Sequence, residues 1–78
     1  VRVLYFARLR ETLGIREEVV ELPDGAEVRA LLEAVKSHHE ALRGFKELLV
    51  AVNGEYASVD RRLREGDVVA LLPPVSGG

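Results

Sequence analysis

The sequence predicts an α+β roll: a mixed sheet of about five strands with one main helix packed on one face. Short runs rich in valine, leucine and aromatic residues recur along the chain, separated by turn signals. Only the stretch from about Glu27 to His38 keeps apolar residues at helical spacing over several turns. It follows the second strand in a β-β-α-β-β-β order, so it acts as a crossover and makes some strand pairing parallel.

Val1 to Arg8 (VRVLYFAR) is the first strand. Both of its faces carry apolar residues, because Val1, Val3, Tyr5 and Ala7 alternate with Arg2, Leu4, Phe6 and Arg8. Arg8 to Leu13 is a short helix with Leu9 and Leu13 four residues apart, and Gly14 closes it in the left-handed conformation. Arg16 to Leu22 is a second strand, polar enough for a sheet edge. Pro23-Asp24-Gly25 turns the chain into the main helix. There Val28, Leu31, Leu32 and Val35 share a face, while Glu27 at one end and Lys36, His38 and His39 at the other suit the helix dipole. Glu40 to Lys46 admits one helical turn around Leu42, broken at Gly44. Leu48 to Val52 is a third strand, Asn53-Gly54 the preferred centre of a type I′ hairpin turn, and Glu55 to Val59 a fourth strand. Asp60 to Arg64 forms a charged connection and Glu65-Gly66-Asp67 a turn. Val68 to Leu72 is the last strand, and Pro73 and Pro74 end it because neither donates a ladder hydrogen bond. Residues 1–72 are therefore expected to form the domain and residues 73–78 a tail.

One helix covers one face of a sheet. The first strand offers Leu4 and Phe6 on one side and Val3 and Tyr5 on the other, and Val68 to Leu72 is apolar on both. Two readings stay open: an apolar patch exposed as a partner site, or a two-sided strand buried beneath the loop from Ser37 to Lys46.

Composition excludes several functions. The 78 residues include no cysteine, so disulfides, thiolate metal sites and cysteine nucleophiles are absent. A net charge of −2 argues against nucleic acid as the main partner. No stretch approaches the ~20 apolar residues of a membrane span and no signal-peptide pattern opens the sequence, so the cytoplasm is the expected compartment. Ser37, Ser58 and Ser76 lack any local pattern coupling them to a base. His38 and His39 diverge by about 100° on a helix, so a metal site is not expected and both read as solvated residues at a helix end. Glu17 and Glu18 fall on opposite strand faces, which argues against a local acid–base pair. Arg61, Arg62, Arg64, Glu65 and Asp67 read as a solvated loop, and Gly66-Asp67 lacks the strand-to-helix context of a phosphate loop. What remains is the C-terminus. Gly77 and Gly78 have no Cβ and fit a passage too narrow for other residues, and Pro74 to Gly78 spans roughly 15 Å when extended, ending in a free carboxylate.

The segments VLYFARLRE (Val3 to Glu11), AVN (Ala51 to Asn53) and GDVVALLPPVSGG (Gly66 to Gly78), with their spacing, resemble the small subunits of molybdopterin synthase (MoaD) among the ubiquitin-like sulfur carriers. A terminal Gly-Gly alone is shared with ubiquitin and its relatives; joined to the FARLRE start, the PPVSGG ending is more specific. The resemblance implies a ubiquitin-like β-grasp fold, in agreement with the element order. It implies that an E1-like adenylating enzyme (MoeB-like) uses ATP and Mg²⁺ to activate Gly78, and that a sulfur donor converts the acyl-adenylate into a thiocarboxylate. It further implies insertion of Pro74, Val75, Ser76, Gly77 and Gly78 into a large subunit (MoaE), where sulfur passes to cyclic pyranopterin monophosphate (precursor Z) within a heterotetramer. Positions matching Phe6, Tyr56 and Leu72 are expected to dock these partners. No cofactor is expected on this chain. The rival readings are a carrier for thiamine thiazole synthesis or tRNA thiolation, a protein modifier, and a β-grasp binding module with a frayed tail.

Overall fold

Two parallel strands form the centre of the sheet, β1 (Arg2–Tyr5) and β5 (Val68–Leu72), in a computed structural model that describes residues 1–45 and 47–74. β2 (Glu17–Val19) adds antiparallel to β1, and β3 (Leu49–Val52) adds antiparallel to β5 and carries β4 (Glu55–Tyr56) at the far edge, giving the order β2-β1-β5-β3-β4. The first helix, α1 (Ala7–Leu13), follows β1, and the main helix, α2 (Val28–His38), lies between β2 and β3. This is the mixed five-stranded α+β sheet the element order predicts.

The register explains the core. Val3 pairs with Val69 and Val69 with Val52; in the next row but one, Tyr5 pairs with Leu71 and Leu71 with Val50. All six point to one face and are buried against Val28, Leu31 and Val35 of α2. Leu9, Val20, Leu42 and Leu63 close the margins of that layer, and Leu42 comes from a 3₁₀ turn over Glu40–Gly44, where one helical turn was expected. No polar or charged residue is buried among the described residues, so the layer is held by apolar packing.

Several elements are shorter than their sequence patterns, for identifiable reasons. β1 ends at Tyr5 because Ala7 adopts φ 51°, a left-handed conformation uncommon for a residue with a Cβ, and turns the chain into α1 just after Phe6 N–H reaches the Leu71 carbonyl at 3.2 Å. α1 closes as expected at Gly14, φ 73°, whose N–H donates to Arg10 O. β2 stops at Val19 rather than Leu22, with Val20 N–H making a last bond to Val1 O at 2.8 Å. β4 ends at Tyr56 rather than Val59 because the chain leaves to cap α2: the carbonyls of Arg61 and Val59 accept from Val28 N–H and Arg29 N–H at 2.8 and 3.0 Å. Those N–H groups lack partners within the helix, so the departing loop satisfies the start of α2.

The Asn53-Gly54 turn has φ 51° and 88°, as a type I′ turn requires. The Asn53 side chain also accepts from Val68 N–H and donates to Asp67 Oδ1, both at 3.0 Å, tying the hairpin to the start of β5. The bond that Asp67 accepts from Arg64 N–H, and after it the one from Asn53, hold its carboxyl below its ordinary pKa. Asp67 is accordingly a bonded loop residue and not merely a solvated charge.

His39 corrects the expectation of two solvated histidines. His38 is exposed, but His39 is half-buried, and its Nε2 lies 2.5 Å from Glu18 Oε2, which also accepts the Tyr5 hydroxyl at 2.5 Å. An ionised carboxylate only accepts, so Nε2 carries the hydrogen. Burial and then the Glu18 bond raise the Tyr5 pKa strongly above its ordinary value of 10.0. The folded chain therefore keeps a proton that the unfolded chain releases above about pH 10, so stability is intact below that pH and falls above it, by up to ~1.4 kcal/mol per pH unit. Urea midpoints measured from pH 8 to 11.5 should fall more steeply for the natural chain than for Tyr5→Phe. Parallel curves would show that the phenol ionises equally in both states.

Candidate functional site

The candidate site is the sheet face that α2 leaves uncovered, together with the root of the C-terminal tail. Side chains alternate along each strand, so burying Val3, Tyr5, Val69, Leu71, Val50 and Val52 sends their neighbours to the opposite face. One row crosses all five strands: Glu17 beside Leu4, then Ala70, Ala51 and Tyr56. In the row nearer the tail, Leu49 pairs with Leu72, and Phe6 follows β1 beside Leu72. Two alanines at the centre keep the floor shallow, and the larger groups stand around it. Phe6 is 40% exposed and Tyr56 74%, while Leu4, Leu49 and Leu72 are half-buried. Of the two readings left open by the sequence, the exposed apolar patch is the one the fold realises.

The expected docking residues Phe6, Tyr56 and Leu72 thus share one face. Tyr56 was the least legible of them, yet the two-residue turn placed it: Asn53-Gly54 pairs Val52 with Glu55 and so Ala51 with Tyr56. Ala51, Ala70 and Leu49, which complete the floor, were not singled out from the sequence; strand alternation counted from the turn would have found them.

β5 ends at the edge of this face. Leu72 is its last residue, Pro73 is half-buried, and Pro74 is exposed at the root. Val75, Ser76, Gly77 and Gly78 lie outside the described residues. The patch has a charged margin, where Arg2 Nε donates to Glu17 Oε2; this contact, ahead of the Arg2 and Arg16 charges, lowers the Glu17 carboxyl pKa.

One concavity and one side-chain cluster lie apart from the tail root. A pocket of about 750 Å³, lined in part by Val1, Leu22, Leu63, Arg64 and Val68, sits where β1 and β5 begin. The five residues of β5 put roughly 13 Å between it and the tail root. Glu18, Tyr5 and His39 lie on the α2 side, whereas Glu17 faces the open side, so the two glutamates diverge as their spacing requires. Among the described residues no group of three His, Asp or Glu side chains is placed to hold a metal ion, and no helix is long and apolar enough to cross a membrane.

Residues 3–78 match the ThiS family. The chain belongs to that family. This ThiS-family chain is 42% identical over 81 residues to a molybdopterin synthase sulfur carrier subunit of Chlamydomonas reinhardtii, covering 100% of the chain and 98% of the relative. Among solved structures it is similar to a molybdopterin converting factor subunit 1 of Pyrococcus furiosus, with TM-score 0.85, 46% identity and 95% of each chain covered. A small archaeal modifier protein 1 of H. volcanii gives TM-score 0.85 at 31% identity, again over 95% of each chain. A protein–protein complex of subunits 1 and 2 of the molybdopterin-converting factor of Helicobacter pylori contributes a chain at TM-score 0.68 and 25% identity, covering 99% of this chain and 96% of that one. The fold of the ThiS-family chain is the ubiquitin-like β-grasp of these carriers.

Proposed function

We propose that this chain is the sulfur-carrier small subunit of molybdopterin synthase, with Gly78 as its reactive residue. The observation that carries the reading is the placement of the tail root: β5 delivers Leu72, Pro73 and Pro74 at the rim of an exposed apolar face. A partner seated on Phe6, Tyr56 and Leu72 would receive the glycine end in its own active site.

The chemistry requires the partner because a carboxylate is a poor electrophile. An E1-like enzyme, using ATP and Mg²⁺, joins the Gly78 carboxylate to AMP and releases pyrophosphate. A donor then delivers sulfide-level sulfur to the acyl carbon, the new C–S bond forms as the bond to AMP breaks, and a thiocarboxylate results. Its sulfur is an effective nucleophile at neutral pH and passes to cyclic pyranopterin monophosphate in the large subunit, within a heterotetramer in the cytoplasm. A chain without cysteine carries sulfur this way because its own terminus becomes the sulfur ligand.

Intact-mass measurement after co-expression with the adenylating enzyme and a sulfur source tests the proposal: the terminal residue should exchange one oxygen for sulfur, and a chain that never does is not a carrier. The likeness to a small archaeal modifier protein favours a second reading, conjugation through Gly78 to lysines of other proteins. Ladders of lysine adducts in the same preparation would support it. Reconstitution with cyclic pyranopterin monophosphate separates the molybdopterin pathway from thiazole synthesis and tRNA thiolation.

Docking has its own test. Phe6→Ala and Tyr56→Ala each remove an exposed aromatic group, so large-subunit binding should weaken roughly tenfold or more while the melting temperature changes little. Equal loss of folding stability would place these side chains in the core instead.

A further inference from the structure

We propose that a cleft beside the apolar face seats an acidic side chain of the docking protein, gripped between Arg10 and Arg16. The inference rests on the sulfur-carrier reading and adds the charge that the partner must present. The cleft holds about 230 Å³ and is lined by Leu4, Tyr5, Phe6, Arg10, Arg16 and Glu17. Leu4 and Phe6 belong to the open face, so the cleft continues the proposed docking surface without a break.

Its charged walls come from two separate elements. Arg10 stands on α1, and Arg16 stands on the segment between α1 and β2, where its carbonyl accepts Tyr5 N–H at 2.8 Å and fixes its backbone against the end of β1. Both arginines are exposed, and among the described residues neither has an ion-pair partner. The one carboxylate in the cleft, Glu17, is already taken by Arg2. Two guanidinium groups therefore dominate the outward charge of the cleft. Each presents a planar fork of donors that matches a carboxylate in two-bond geometry, which an ammonium group does not. The cleft opens beside Leu4 and Phe6, where the proposed partner is seated, so the anion that reaches it comes from that partner's surface. The anion that meets Arg10 and Arg16 is then an aspartate or glutamate on the partner's surface.

The test is binding of the full chain to the molybdopterin synthase large subunit, measured as affinity and on-rate across ionic strength. Arg10→Glu and Arg16→Glu should each weaken binding about tenfold or more and flatten its salt dependence, with Arg16→Lys intermediate. Arg64→Glu, at the opposite end of the sheet, makes the same charge change as a control and should stay close to the natural chain. Reversing the matching acidic residue of the large subunit should restore binding to the reversed arginines. The proposal is overturned if the two reversals bind no worse than Arg64→Glu at equal melting temperatures. Tighter binding would also overturn it, by showing that the cleft holds this chain's own terminal carboxylate. If the natural chain neither loads sulfur nor binds the large subunit, the sulfur-carrier reading falls and takes the cleft with it. Normal loading and docking with indifferent arginines removes the cleft alone.

Discussion

Deleting Gly78 should abolish sulfur loading and transfer while moving the melting temperature by no more than about 2 °C. The two halves of this result have different causes. In the proposed chemistry activity depends on one carboxylate, because adenylation and sulfur exchange would both occur at the terminal acyl carbon, and the shortened chain would present it one residue short of the partner's catalytic groups. Misplacement by even about 1 Å costs on the order of a hundredfold in rate, and a residue spans about 3.5 Å. Stability depends on packing, and the last buried side chain before the tail is Leu71. Calorimetry and intact-mass loading on one preparation measure both halves. A large fall in melting temperature would mean that the terminus packs against the domain, and full loading of the shortened chain would remove Gly78 from the chemistry.

Much of this arrangement was legible because the deciding signals are local. Val68 to Leu72 reads as a strand and forms one with the same limits, since Gly66 and Pro73 bound it sharply. The helical spacing of Val28, Leu31 and Val35 marks the three residues of α2 that are buried. Asn53-Gly54 marks a turn whose geometry only residues tolerant of positive φ adopt readily, and that turn sets the register of β4. The apolar character of Leu4 and Phe6 opposite Val3 and Tyr5 raised the exposed patch as one of two outcomes, because a single helix has one face to give.

The rest depends on contacts between distant segments. Nothing in the Ala7 neighbourhood signals a left-handed residue, since alanine favours helix; the turn is imposed where β1 must give way to α1. The pairing of His39 with Glu18 joins residues 21 apart, brought together only when α2 lies across β1 and β2. β4 is cut short by the backbone donors at the start of α2, which draw Val59 and Arg61 away from the sheet. Arg10 and Arg16 looked like members of a helix and a strand, and they share a cleft only because the segment after α1 returns to the end of β1, where Tyr5 N–H bonds the Arg16 carbonyl.

Two adjacent leucines give the sharpest test of the division between fold and site. Leu71 is fully buried beneath α2, paired with Tyr5 and Val50, whereas Leu72 points to the open face beside Leu49. Leu71→Ala should cost about 2–5 kcal/mol, because the lost transfer energy is joined by a cavity that rigid neighbours fill poorly. A domain of this length has only about 4–12 kcal/mol in total, so the variant should melt ~10–30 °C lower or unfold outright. Leu72→Ala removes a half-buried group with open space beside it and should cost about 1 kcal/mol or less, yet weaken large-subunit binding roughly tenfold or more. Thermal melts and binding measured on the same two proteins separate the effects. Binding lost by Leu71→Ala should return on cooling as the folded fraction recovers, while that lost by Leu72→Ala should persist in fully folded protein. If both variants lose stability equally, the open face is core and the docking surface lies elsewhere. If neither loses binding while folded, β5 merely delivers the tail and contributes no grip of its own.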